Sequence, residues 1–534
     1  MDDVQCISYR DTGYFSSLIC DYLDQKPELA HLYNRFPVIE NFREQIKERS
    51  GFSRELREKL VLRLKAQYDR LQPTETDDQR VFHHINLLEE EKTYTITTGH
   101  QLNLFTGPLY FFYKIVSVVN LCKELKKKYP DNNFVPVHWM AAEDHDFAEI
   151  NHINIAGGRL LWEREAGGPV GRLDTASMET VLERLKELTG KSTHGRELVQ
   201  LFRKAYLEHG NLADATRYMV HHFFAEEGLV IVDGDDSQLK SLMVPFFKQE
   251  LLEEVTLGEV EGTTQWLTEH YFEQVHPRNI NLFYIKDGLR ERIDRQGKTW
   301  GVLNTGITWT REELLKELEE YPERFSPNAI LRPLYQETIL PNLAYIGGGG
   351  ELAYWFQLKQ LFDKVEVPFP MLVLRNSALI YTQRQQEKLQ KMGLQVKDLF
   401  QPLHQLKSRI AAESAPIDPK MEPYQAKLQK MFDELEEVAH LTDKSMLGAV
   451  NAQRQKQLNG LDKLRKKLIR AEKRKNSDKM ERLEQLYLEL FPKQSLQERH
   501  DNFIPYYEEY GEKWLQKLLY DLDPLDFRFA LLRF

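Results

Sequence analysis

The sequence predicts an α/β protein with a parallel-sheet core, inserted regions, and an α-helical coiled-coil arm. Three observations carry this. Apolar strand-like runs alternate with helical segments along most of the chain. Polar clusters follow several of those runs, where a parallel sheet binds its ligands. After Tyr381 the composition turns to Lys, Glu, Gln, Arg and Leu, with apolar residues in three-four spacing.

The core is organised around residues 93–149. An extended run at 93–97 enters a turn at Gly99-His100-Gln101. A helix is expected to open at Thr106-Gly107-Pro108, with Thr106 as N-cap and Pro108 in the first turn, where no N–H is needed. Its body, 109–121, is apolar and aromatic. Lys123, Lys126, Lys127 and Lys128 suit the negative end of its dipole. A second strand at 134–141 runs into Glu143-Asp144-His145-Asp146. This is a strand–helix–strand unit with polar residues at both strand ends.

Residues 1–90 read as a mainly helical region packed on the core, with helical patterns at 40–71 and 81–90. His83 and His84 are neighbours on a helix and point apart, which disfavours a metal site. The core proper spans 91–384, with α+β insertions at about 150–227 and 237–330. Short strands and turns surround Gly157-Gly158 and Gly167-Gly168, and helices follow at 178–209 and 217–227. A buried strand at 228–232 ends at Asp233-Gly234-Asp235-Asp236. Helices are expected at 237–255, 264–275 and 310–321, with a hairpin at 281–293 turning through Asp287-Gly288. Arg332, Gln336 and Glu337 precede four glycines at 347–350, which open a helix at Glu351. Such a start offers N–H groups to an anion. A further strand ends near Arg375 and Asn376.

The arm spans 385–490. After a break at 411–423, two helices carry seams at Leu428, Met431, Leu435 and Val438, and at Leu461, Leu464, Leu468 and Ala471. The turn falls near 441–444, giving an antiparallel hairpin. Its basic stretch 465–475 reads as a solvated face. An arm of this kind predicts a homodimer. The segment 491–534 is apolar and aromatic again and returns to the core.

The formal charge of −10 over 534 residues argues against a general nucleic-acid binder. No run is long and apolar enough for a bilayer, and the N-terminus lacks a signal-peptide pattern. Cys6, Cys20 and Cys122 have no metal-type spacing and cannot all pair, which suits a reducing cytoplasm.

Taken together, TTGHQLNLFTGPLY, VPVHWMAAEDHDFAEINH, GLVIVDGDD, SPNAILRPLYQETILPNLAYIGGGGELAYW and SLQERHDNFIP resemble successive blocks of the BshC family of bacillithiol biosynthesis. The resemblance runs from about Tyr94 to the tail. It implies a bacterial cytoplasmic cysteine ligase that joins cysteine to glucosaminyl-malate in the last step. It also implies a Rossmann-like fold with inserted connecting regions, similar to class I aminoacyl-tRNA synthetases and nucleotidyltransferases, and a dimerising coiled coil. That synthetase pattern presents two histidines at the first strand–helix turn, whereas this sequence has only His100.

Amide formation from a free carboxylate needs activation, so ATP is the expected co-substrate and Mg²⁺ a candidate companion. His100 and Gln101, with Asn103 and the backbone at Gly99 and Gly107, are the expected phosphate-side contacts. Asp144, His145 and Asp146 would orient the amine or hold Mg²⁺. Arg332 and Gln336 would take a carboxylate, since a guanidinium matches one bidentately. Gly348, Gly350 and Glu351 complete the expected binding set. A zinc site from Asp144, His145, Asp146 and His152 has no recognisable ligand pattern, so no resident metal is assigned. The alternatives are a non-catalytic ligand-binding scaffold of thiol biosynthesis and, disfavoured by acidity and absent motifs, a tRNA-related enzyme.

Overall fold

A computed structural model describes residues 4–71, 79–155, 158–272, 275–286, 288–413 and 421–534. The chain forms two compact units: Met1–Leu379 with Ser495–Leu532, and Ile380–Gln494 with Arg533–Phe534.

The first unit holds a five-stranded sheet: β1 (Thr93–His100), β2 (Asn133–Met140), β3 (Val230–Asp233), β4 (Asn342–Gly347) and β5 (Met371–Leu374). Their order is β5-β4-β1-β2-β3, and every neighbouring pair is parallel. Parallel strands need long crossovers and are covered on both faces, so they read as continuous apolar runs. All eight residues of β1 are buried. Between β1 and β2 runs helix α1 (Tyr110–Lys128), which packs Val118, Leu121 and Leu125 against Tyr94, Ile96 and Phe134. From β1 the chain builds outward through β2 and β3, then returns to the other side of β1 with β4 and β5. The junction between β1 and β4 is therefore the topological switch point, where the strand ends leave a crevice. Helix α2 (Arg332–Ile339) precedes β4 and α3 (Gly349–Trp355) follows it.

Several local expectations change. Helix α1 starts at Tyr110 without a side-chain cap, and Thr106 is no N-cap. Phe105, Thr106 and Gly107 all have positive φ (44°, 66° and 72°), so the chain reverses there. The tail holds this reversal: Asn502 Nδ2 donates to the carbonyls of Phe105 (3.0 Å) and Gly107 (2.5 Å), and Leu109 N–H donates to Asp501 O (2.8 Å). The helix expected over 178–209 is two, Met178–Thr189 and Thr193–Leu207, broken at Gly190. The one expected over 237–255 is interrupted before Pro245 and ends at Glu254, whose φ is +53°. The next helix, Val255–His270, begins well before the expected Thr264.

A second, antiparallel sheet runs in the order Thr308–Trp309, Thr299–Val302, Leu289–Gln296, Leu282–Lys286, Phe325–Pro327. The expected hairpin is its centre; Asp287 of the turn lies outside the described residues, as does Gly157 of the shorter hairpin His152–Ile155/Gly158–Leu161. The tail pairs antiparallel with Gln5–Ser8, Gln5 opposite Leu531.

In the second unit, α4 (Glu422–Thr442) and α5 (Leu447–Leu490) form a hairpin about a short turn at Lys444–Met446. Part of the expected break, 414–420, lies outside the described residues. The packed seam differs from the expected one. Phe432 and Ala439 are buried, whereas Met431, Leu435 and Val438 are 46%, 43% and 54% exposed. Leu464 and Leu468 of α5 are exposed as well. The apolar residues of α4 therefore form two adjacent stripes, and the hairpin uses the one whose small Ala439 lets the helices approach.

Candidate functional site

A cavity of about 1100 Å³ opens at the carboxyl ends of β1, β2 and β4, beside the switch point. Gly99 and His100 end β1 at its floor. A side chain at Gly99 would meet Tyr345 Oη at 3.5 Å. His100 is buried between the rings of Tyr110 and Phe111, with centroids 5.4 and 5.2 Å away. Its Nε2 has no hydrogen-bond partner among the described residues. Burial first, then the charges of Lys114, His138 and Arg375, hold His100 well below the ordinary imidazole range. It is thus a neutral ring with an unspent nitrogen at neutral pH.

Lys114, from the buried face of α1, donates to Gly99 O (2.7 Å) and pairs with Glu351 Oε2 (2.6 Å). Burial pulls its pKa down, against the opposing pull of Glu351. Glu351 also accepts the Gly348 N–H (2.8 Å) and the Tyr345 hydroxyl (2.8 Å). Burial would raise the Glu351 carboxyl, but Lys114 and these donors hold it below its usual value. The glycine run thus presents Gly348, Gly350 and Glu351 to the cavity, with the Gly348 N–H already taken by the protein's own carboxylate.

The acidic cluster divides. Asp144 lines the cavity; its Oδ2 accepts from Gln101 Nε2 (2.7 Å), and its Oδ1 from the N–H groups of His145 (2.7 Å) and Asp146 (3.3 Å). Burial pushes its pKa up, but these donors outweigh that and lower it. His145 Nδ1 lies 2.6 Å from Arg290 Nη1. Arginine can only donate, so Nδ1 accepts and the ring proton sits on Nε2. Arg290 comes from the inserted antiparallel sheet and stacks 3.9 Å above the Phe283 ring. Asp146 does not line the cavity: it caps the short helix Phe147–Ile150 by accepting the Glu149 N–H (3.3 Å). Asp favours this capping position, because its carboxylate satisfies an otherwise free N–H of the first turn.

Arg332 lines the cavity, donates to Gln336 Oε1 (2.9 Å) and leaves Nη2 buried without a partner. Gln336 is fully buried outside the lining and donates to Glu337 (2.7 Å), so it holds Arg332 in place. Burial raises the Glu337 carboxyl to about 7, against the lowering influence of Arg49 and its hydrogen bonds. Asn103 and Gly107 are also outside the lining. They pack on each other, and the Gly107 N–H is taken by Leu104 O (3.0 Å).

Sequence reasoning missed Lys114, Arg290 and Arg499, and left Glu143 and Arg375 unassigned; all line the cavity. Lys114 had a signal, as the one lysine in an otherwise apolar and aromatic helix face. Glu143 joins the cavity to a buried charge chain: Lys240 pairs with Glu143 (2.6 Å) and Asp235 (3.0 Å), and Asp235 with Arg172 (2.6 Å). Among the described residues no three His, Cys, Asp or Glu side chains converge on a metal position, so Asp144, His145, Asp146 and His152 do not assemble. Glu143, Asp144 and Glu149 are each bonded to protein donors and do not fit a preformed Mg²⁺ site.

A second cavity, about 1080 Å³, lies between helix Thr193–Leu207 and the tail helices Ile504–Tyr510 and Glu512–Asp521. Among the described residues no helix is long and apolar enough to cross a membrane.

An open parallel sheet with a polar crevice at its switch point, and a separate helical hairpin, define a Rossmann-like α/β protein with an appended coiled-coil module. Residues 2–376 match the Bacillithiol biosynthesis BshC, N-terminal Rossmann-like domain, and residues 378–534 match the BshC C-terminal coiled-coil domain. The chain belongs to the BshC family. Proteins named "Putative cysteine ligase BshC" are similar over nearly the whole length. The one from Flavobacterium johnsoniae is 49% identical over 99% of both chains. That from Flavobacterium psychrophilum is 48% identical over 99% of both. That from Cytophaga hutchinsonii is 39% identical over 99% of this chain and 98% of its own.

Proposed function

We propose that this protein is a ligase that joins L-cysteine to the amine of glucosaminyl-malate, forming bacillithiol, with ATP activating the cysteine carboxylate. The observation that carries this reading is the neutral His100, which lines a cavity walled by cations and carboxylates and whose Nε2 is buried with no hydrogen-bond partner among the described residues.

The chemistry runs in two steps. A cysteine carboxylate oxygen attacks ATP at the α-phosphorus, releasing pyrophosphate and leaving cysteinyl adenylate; attack at the γ-phosphorus would release ADP and leave cysteinyl phosphate. The glucosamine amine then attacks the acyl carbon. The C–N bond forms, AMP or phosphate leaves with the electrons of the broken C–O bond, and the amine sheds a proton. His100, kept neutral by burial and nearby cations, is suited to accept a hydrogen bond from the amine and orient it for attack, while the shed proton leaves to solvent. The free Nη2 of Arg332 and the Nε2–H of His145 are suited to negative oxygens. Mg²⁺ travelling with the nucleotide would neutralise phosphate charge.

The exposed stripe of Met431, Leu435 and Val438 on α4, with Leu464 and Leu468 on α5, supports a homodimer through the arm. Leu435→Glu with Leu464→Glu would then give monomers by analytical ultracentrifugation. The three free cysteines suit a reducing cytoplasm.

The test is mass spectrometry of purified protein with cysteine, glucosaminyl-malate, ATP and Mg²⁺. Bacillithiol with AMP supports the adenylate route, and bacillithiol with ADP the acyl-phosphate route. No product from folded protein that binds both substrates would favour the scaffold reading.

A further inference from the structure

We propose that Arg499 anchors a carboxylate of the substrate's malyl group, an assignment that rests on the ligase reading above. Arg499 ends the one-turn helix Gln497–Arg499 and lines the main cavity. The other cationic side chains of that wall are engaged. Lys114 holds Glu351 and Gly99 O. Arg290 is bound to His145 and to Pro327 O (3.3 Å). Arg332 holds Gln336, and Arg375 holds Glu498 (2.8 Å), Ser377 (2.9 Å) and the Asn376 carbonyl (2.8 Å). The Arg499 side chain alone among these makes no hydrogen bond or ion pair with the described residues. Its guanidinium stands only in loose contact with Phe15, 5.8 Å from the ring centre.

The backbone beneath it is fixed. Glu498 is fully buried and bound to Arg375 and to the Ala378 N–H (3.0 Å), so it acts on Arg499 only through its charge, without a direct bond. The Arg499 N–H is held by Leu496 O (3.0 Å). The side chain is exposed while its root is rigid, which suits a group that waits for a ligand rather than one that braces the fold. A guanidinium with its donors unspent, on a wall that carries other cations, calls for an anion, and its planar fork matches a carboxylate.

Position selects which anion. Tyr110 separates the two ends of this part of the wall: its ring is 5.4 Å from that of His100 and 5.0 Å from the Arg375 guanidinium. With the reacting amine at His100, the malyl group, carried on the adjacent sugar carbon, lies about one ring width away. That is the side of Arg375 and Arg499.

Calorimetric titration of wild-type, Arg499→Ala and Arg499→Lys protein with glucosaminyl-malate and, separately, with ATP tests this. Arg499→Ala should weaken glucosaminyl-malate by about 10- to 100-fold, Arg499→Lys by less, and ATP binding should stay unchanged. Weaker ATP with unchanged glucosaminyl-malate would make Arg499 a phosphate ligand and overturn the proposal. Unchanged binding of both by a variant that melts like wild type would overturn it outright. Wild-type protein that binds no glucosaminyl-malate would instead remove the substrate reading, and the subsite with it.

Discussion

The two cavities of the first unit are nearly equal in volume, about 1100 and 1080 Å³, yet they differ in kind. The one at the strand ends contains buried groups with unspent bonding capacity, His100 Nε2 and Arg332 Nη2. The one between helices has no lining atom among the buried unpaired groups, and its His194 is bonded to Glu197 (3.0 Å). His194 is also packed against Gly511, where a side chain would clash at 2.5 Å. Volume alone does not separate a reaction site from a gap between helices. What separates them is polar groups of the cavity lining that are buried at a cost and left unpaired.

That contrast can be broken experimentally. The largest expected effect is from His100→Ala, which should slow bacillithiol formation by about 10²-fold, measured by product mass spectrometry on protein confirmed to be folded. Next, Arg332→Ala should raise KM for one carboxylate- or phosphate-bearing substrate by about 10- to 100-fold in steady-state assays. A third effect concerns stability. Burial pushes His138 down to about 3, whereas an unfolded histidine titrates near 6.5. Between those values the native state binds fewer protons than the unfolded chain, so stability is complete above the upper value and falls as pH falls. His138→Gln should flatten denaturant-derived stability against pH by about 1.4 kcal/mol per pH unit in that window. Smaller still, Arg290→Ala should release His145 Nδ1, so that ¹⁵N spectra show both neutral tautomers instead of the Nε2–H form alone. The smallest is His194→Ala in the second cavity, which should change turnover by less than about two-fold; a large loss there would erase the distinction between the cavities.

The arm supplies the same lesson in simpler form. Its two helices were legible because apolar spacing at helical period needs no partner to be recognised. Which stripe packs inward was not, since Phe432 and Ala439 lie one residue from Met431 and Val438 and periodicity alone does not choose between adjacent stripes. In the core, His100, Asp144 and His145 were legible because turns and polar clusters after apolar strands mark the carboxyl edge of a parallel sheet, and Arg332 because a guanidinium beside a glycine run suits an anion. Asp146, Gln336, Asn103 and Gly107 stood in the same stretches but serve as cap, brace and turn. Arg290 and Arg499 could not be found this way, because they arrive from an inserted hairpin and from the tail.

The chain's own order of apolar runs, helices and glycine turns determined the α/β class, the parallel core, the helical arm and the strand ends that matter, since these depend on local period and burial. The tertiary structure decided which side chains share one cavity, which of them are spent on each other, and which are left free. Those properties arise between residues far apart along the chain, as when Arg375 meets Glu498 and leaves the Arg499 side chain without a bonded partner among the described residues. Charge compensation in a low-dielectric interior depends on distance in space, and no spacing along the chain encodes it.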